Sequence, residues 1–139
     1  MLVDIGGTNV RTAIANIGSR DLINPVKRNH NQIVSIDALI SNFLNEDLSI
    51  KHIVFSVAGP KINDSISMTN AEFQIDKNSI LENFKLDSCH ILNDWESIGH
   101  SLSIIQNHET KYINQGEPFN DVALVLGPGT GLGAALVIR

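Results

Sequence analysis

Two short runs of strand-forming residues around an adjacent glycine pair constrain the fold of this chain more than any other feature. Leu2–Ile5 is apolar at three of four positions, Gly6 and Gly7 follow, and residues 10–17 are rich in β-branched residues and alanine. Such runs around Gly-Gly read as a β-hairpin, because glycine reaches positive φ at both turn positions without a Cβ penalty. Residues 25–30 add a third strand to the same meander.

The period then changes. Ile36, Leu39, Ile40, Phe43 and Leu44 share one face of a helix, with Ser35 as its N-cap and Val34 stapling onto Leu39. Residues 52–58 read as a buried strand ended by Gly59-Pro60, residues 76–84 as a short helix and residues 89–92 as another strand. Trp95, Ile98, Leu102 and Ile105 recur at helical spacing behind Asp94, and residues 122–126 and 134–138 are strands again. The order predicts an α/β fold, a mixed β-sheet with an N-terminal β-meander followed by αβ units. Both ends of the chain fall on strands, so it is expected to be incomplete.

At 139 residues the chain is one ordinary domain, and 42% apolar residues are enough for a core. Fifteen acids against ten bases give a net charge of −5. With the bases scattered, this argues against nucleic acid or an anionic membrane as partner. The single cysteine, Cys89, excludes an intrachain disulfide and a multi-cysteine zinc site. Residues 122–138 carry no charge, but four glycines and a proline interrupt a run already short for a membrane helix. The N-terminus has no basic segment ahead of a long apolar one, and a cytoplasmic address is expected.

Three places carry candidate chemistry. In the first, Asp4, Ile5, Gly6, Gly7, Thr8 and Asn9 form a hairpin tip without Cβ atoms. Its backbone N–H groups suit phosphate oxygens, and Asp4 could hold a magnesium ion through water. The competing reading is any Gly-Gly hairpin with a capping aspartate. In the second, Gly127, Gly129, Gly131 and Gly133 alternate after a strand, with Thr130 between them. No Lys-Ser/Thr follows, so it is not a Walker loop. Its Gly-x-Gly-x-x-Ala match precedes a strand rather than a helix, so a dinucleotide site is rejected. A glycine-rich hairpin packed tightly against a neighbour is the structural alternative. In the third, Asn93 and Asp94 end a strand and open a helix. An aspartate there is ordinarily an N-cap, yet it could also take a hydroxyl proton in phosphoryl transfer. The five histidines show no metal spacing, while Cys89 and Trp95 read as core.

Four ordered segments, DIGGTNVRTAIANI (4–17), SVAGPKIND with SMTNAEF (56–64 and 67–73), HILNDWESIGHSL (90–102) and LGPGTGLGAALV (126–137), resemble the N-terminal part of bacterial glucokinases. That family is the hexokinase-like branch of the actin/Hsp70/sugar-kinase fold, so the resemblance implies a ribonuclease H-like small lobe. It implies an ATP-dependent kinase acting on the 6-hydroxyl of glucose or a similar hexose, with magnesium. Asp4 to Asn9 would contact ATP and its metal. Thr69, Asn70, Asn93 and Asp94 would bind the sugar, with Asp94 as general base. Gly127, Gly129, Thr130 and Gly131 would belong to a second phosphate loop.

By the same resemblance, residues 1–120 are a small lobe and residues 121–139 open a truncated large lobe. The family's Glu-Gly-Gly-His segment, which completes the sugar site, is absent from these residues, and Phe73 stands where another aromatic is common. Activity of the chain alone therefore stays open. So do two other readings, a non-catalytic sugar-sensing module and another actin-like ATPase. An unpaired edge in the last strands would make the chain an association-prone monomer or a homodimer.

Overall fold

The computed structural model describes residues 1–139 apart from 48, 63–64, 68–73, 118–119, 129–131 and 139. It divides into two compact units, Met1–Asp94 and Trp95–Arg139.

The first unit is built on a five-stranded sheet. Its strands are β1 (Leu2–Ile5), β2 (Asn9–Ile14), β3 (Ile23–Asn29), β4 (His52–Val57) and β8 (Ser88–Asn93), in the order β3-β2-β1-β4-β8. β1, β4 and β8 run parallel, while β2 pairs antiparallel with both β1 and β3, which makes the predicted mixed sheet. One face carries Val3, Ile5, Val10, Ile53, Phe55, Val57, Cys89 and Ile91, all buried. Alternation along each strand places Asp4, Arg11, Ser56 and His90 on the other face. Helix α1 (Ile36–Glu46) adds Ile36, Leu39, Ile40 and Phe43 to the core, as its period required. Ser35 caps it, accepting the Ala38 N–H at 3.0 Å. The staple is absent: Val34 is 93% exposed, and the neighbouring Ile33 packs on the core instead.

Between β4 and β8 lies a small antiparallel sheet of β5 (Lys61–Ile62), β6 (Ser65–Ser67) and β7 (Gln74–Asp76), which the sequence did not signal. Its cross-strand pair Ile66 and Ile75 is fully buried in the main core. Helix α2 (Lys77–Phe84) follows, with Asp76 as its N-cap rather than its first residue, accepting the Ser79 N–H at 2.8 Å.

Strand β3 begins two residues earlier than expected, ahead of Pro25. Proline is tolerated because β3 is an edge strand, and a bulge opposite Thr12–Ile14 absorbs Asn24 at φ 49°.

The second unit holds most of helix α3 (Asp94–Ser101) and the hairpin β9 (Val122–Pro128)–β10 (Leu132–Ile138). Helix α3 ends before Leu102 and Ile105, short of the predicted stripe. The Ser101 and Ser103 hydroxyls donate to the carbonyls of Ile98 and His100 at 2.7 and 3.2 Å, and the chain tightens into turns there. The outer face of the hairpin carries Val122, Leu124, Leu126, Leu132, Leu136 and Ile138, 45–75% exposed.

Candidate functional site

The carboxyl ends of the three parallel strands are level. Ile5 pairs with Val57, and Val57 with Asn93. The first glycine loop, the Ala58-Gly59-Pro60 turn and Asn93-Asp94 therefore leave the same end of the sheet from neighbouring positions. Strands lie about 4.8 Å apart, so the loop after β1 and Asn93 are about 10 Å apart along that end. Open α/β sheets bind ligands at such carboxyl ends.

The loop differs from the predicted two-residue turn. Ile5 pairs with Val10, so residues 6–9 form a four-residue connection closed by the Gly6 N–H to the Asn9 carbonyl at 3.0 Å. Neither Gly6 nor Gly7 adopts a left-handed backbone. A Cβ at Gly7 would meet nothing within 4 Å, and one at Gly6 only the Asn9 carbonyl at an ordinary 3.6 Å. Neither backbone conformation nor packing thus asks for glycine here. The His30 N–H donates to the Thr8 carbonyl at 3.1 Å, and the Ala58 N–H to that of Ile5 at 2.9 Å, which fixes the loop from both sides. Among the described residues the Gly7 and Thr8 N–H groups donate no backbone hydrogen bond. An exposed loop with two such donors and no Cβ in the way fits a phosphate.

Asp4 sits directly across β1–β2 from Arg11, and its Oδ2 accepts from Arg11 Nη1 at 2.7 Å. Sequence reasoning gave Arg11 no role. The register would have exposed the pair, but a two-residue turn places Asn9 opposite Asp4 instead. The carboxylate fits the outer sphere of a magnesium ion, whose waters it would accept from while keeping Arg11 as its partner.

Asn93 ends β8 half-buried, and its Nδ2 donates to the Gly59 carbonyl at 3.0 Å, which ties β8 to the turn after β4. Asp94 is the first residue of α3 and follows the strand without a spacer. It therefore occupies the helical position itself rather than the flanking residue of a cap. Thr69 and Asn70 lie outside the described residues, as do Gly129, Thr130 and Gly131.

The described glycines of the second motif have a structural reason to be glycine. Gly127 and Gly133 face each other across β9–β10, and a Cβ on either would overlap the Trp95 indole outright. Here the tight-packing alternative accounts for Gly127.

Elsewhere, burial pushes the Cys89 thiol up to about 11, so the side chain behaves as inert core. Among the described residues no three His, Cys, Asp or Glu side chains gather as a metal cluster, which does not bear on a magnesium ion carried by a nucleotide. No described helix is long and apolar enough to cross a membrane. A cleft of about 560 Å³ between β3 and α1, lined by Arg28, Gln32, Asn42 and Glu46 among others, contains none of the candidate residues.

The architecture is the sugar-kinase fold: the chain superposes on the crystal structure of a glucokinase from an Antarctic psychrotroph with TM-score 0.85 at 23% identity, covering 99% of this chain and 45% of that one. The family model for glucokinase matches residues 1–139, and the chain belongs to the glucokinase family. It is 32% identical over 144 residues to the glucokinase of Colwellia psychrerythraea and 31% identical over 143 residues to that of Brucella suis. These alignments take in 100% and 98% of this chain but 43% and 40% of the relatives, so it spans less than half their length.

Proposed function

We propose that the chain carries the phosphate-binding and hexose-binding part of an ATP-dependent glucokinase that phosphorylates the 6-hydroxyl of glucose. The observation that carries this reading is the level ending of β1, β4 and β8. It brings a glycine loop whose glycines the fold does not require to the same end of the sheet as Asn93-Asp94. Relatives named glucokinase along the whole chain support it.

In this reading the Gly7 and Thr8 N–H groups hold phosphate oxygens, and Asn9 lines the loop. Magnesium arriving with the nucleotide would neutralise phosphate charge, and Asp4 is the residue to hold it, through water. Asn93 orients the sugar, joined by Thr69 and Asn70, and the Asp94 carboxylate takes the proton of the 6-hydroxyl as that oxygen attacks. A positioned general base is typically worth roughly 10²–10⁴-fold in rate. Most of the remaining acceleration in phosphoryl transfer comes from holding the two reactants in line. Gly127, Gly129, Thr130 and Gly131 form a second phosphate loop. Residues 1–120 form the small lobe and residues 121–139 open the large one. A cytoplasmic location, where ATP is at hand, completes the reading.

The test is ADP release from magnesium-ATP by the purified chain, with and without glucose, beside Asp94→Asn. Glucose-dependent release that the substitution abolishes supports the proposal. Release indifferent to glucose, or to the substitution, overturns it.

A further inference from the structure

The first glycine loop is held on its β3 side by a hydrogen bond that a side chain outside the loop secures. β3 forms one edge of the five-stranded sheet, and its ladder with β2 ends at Asn29 opposite Asn9. One residue further, the His30 N–H donates to the Thr8 carbonyl at 3.1 Å. Successive residues of a strand send their N–H groups to opposite sides, so the Asn29 N–H turns to the open edge, where no strand receives it. Gln32 Oε1 accepts it there at 2.8 Å. In return the Asn29 Oδ1 accepts the Asn31 N–H at 3.3 Å, and the Ile33 N–H closes the single turn His30–Gln32 on the His30 carbonyl at 3.0 Å. Asn29 and Gln32 thus form a reciprocal capping box at the end of β3. Gln32 itself is exposed, lines the cleft between β3 and α1, and has no part in the reaction scheme above.

We propose that Gln32 is a positioning residue for nucleotide binding: its Oε1 holds the Asn29 N–H, which keeps the end of β3 extended and the His30 N–H on the Thr8 carbonyl, so that the Gly7 and Thr8 N–H groups stay set for a phosphate. The inference rests on the reading of residues 6–9 as a phosphate site. A peptide group is planar, so holding the Thr8 carbonyl fixes the plane after Thr8 and leaves its own N–H less room to swing. Without an acceptor at position 32 the Asn29 N–H goes to water and the strand end frays. The His30–Thr8 hydrogen bond is then open for a larger part of the time. Apparent affinity falls with the fraction of loops still set for binding.

The experiment pairs hydrogen exchange of the His30 amide, followed by NMR in the free chain, with calorimetric titration of magnesium and a non-hydrolysable ATP analogue. The variants are Gln32→Ala, Gln32→Met, which keeps the side-chain length but lacks the oxygen, and Gln32→Glu, which keeps an acceptor. Ser35→Ala, which removes the α1 cap and leaves the loop alone, is the control for general destabilisation. Gln32→Ala and Gln32→Met are each expected to speed His30 exchange and to weaken the analogue by ~5-fold or more. Gln32→Glu should stay within about 2-fold of the parent in both, with salt at about 0.15 M to screen the added charge. Ser35→Ala should melt lower yet bind as the parent does. Gln32→Ala and Gln32→Met variants that exchange His30 or bind the analogue like the parent overturn the inference and leave the loop reading standing. So does a Gln32→Glu variant that exchanges His30 as fast as Gln32→Ala, or a Ser35→Ala variant that loses as much affinity. A parent chain that binds no analogue overturns both this inference and the phosphate-loop reading.

Discussion

Gly7→Ala separates a glycine kept for a ligand from one kept for the fold. The added methyl meets no atom within 4 Å, and the backbone is not left-handed, so the native state accommodates it without strain. Its main effect falls on the unfolded chain, where lost backbone freedom stabilises the protein by about 0.4–1 kcal/mol. For a chain of this size 1 kcal/mol moves the midpoint by about 3–5 °C, so melting should rise by roughly 1–5 °C. In the loop the same methyl stands where a phosphate oxygen would approach Gly7 N–H, and nucleotide affinity should fall by ~10²-fold. Gly133→Ala supplies the contrast. Its methyl collides with the Trp95 indole, and overpacking of this kind costs about 1–3 kcal/mol, a midpoint lowered by roughly 3–15 °C. Scanning calorimetry and titration with a magnesium–ATP analogue read both numbers. A Gly7→Ala variant that melts several degrees lower, or binds the analogue like the parent, refutes the reasoning.

Three further expectations concern the scaffold. Ser35→Ala removes the hydroxyl that accepts the Ala38 N–H and should cost about 1 kcal/mol in urea unfolding, against no change if the cap is idle. With its thiol pushed up to about 11, Cys89 exposes only on the order of 10⁻³ of its population as thiolate at pH 8. It should react with a disulfide reagent only after denaturant is added. Hydrogen bonds from Ser79 hold the Asp76 carboxyl below its ordinary value of 3.8. A depressed carboxylate stabilises the fold above the unfolded-state value, and that contribution is lost as pH falls through the folded one. An NMR titration of the Asp76 side-chain carboxyl should therefore show its midpoint below 3.8, and a midpoint at or above that value contradicts the cap.

What could be read from the sequence follows the range of the interactions involved. Helix α1 was legible because a period of five apolar residues and a capping serine are local signals, and the same holds for the run of β4 and β8. The staple was not, since whether Val34 or Ile33 turns inward depends on the angle at which the chain enters α1. Glycine identity misled the reading of the first loop. Gly-Gly suggests a turn that needs positive φ, whereas the loop has four residues and its glycines answer to no internal demand. That error also shifted the register by two and hid the pairing of Asp4 with Arg11. The sheet β5–β7 escaped because two- and three-residue strands have no period of their own; among the described residues the buried pair Ile66–Ile75 ties it to the core. Asn93 and Asp94 stand out in the sequence by their place between a strand and a helix, and the structure puts them at that junction. That the ends of β1, β4 and β8 are level is a property of pairing across the sheet, which no local pattern carries.

Phosphate and sugar are proposed to bind side by side at this end of the sheet. Amide chemical-shift mapping of the labelled chain tests this most directly, with a magnesium–ATP analogue and glucose added separately. The account expects the analogue to move the Gly6, Gly7, Thr8 and Asn9 resonances and glucose those of Asn93 and Asp94. Perturbations gathered instead along the cleft between β3 and α1, or none at these six residues, would contradict it.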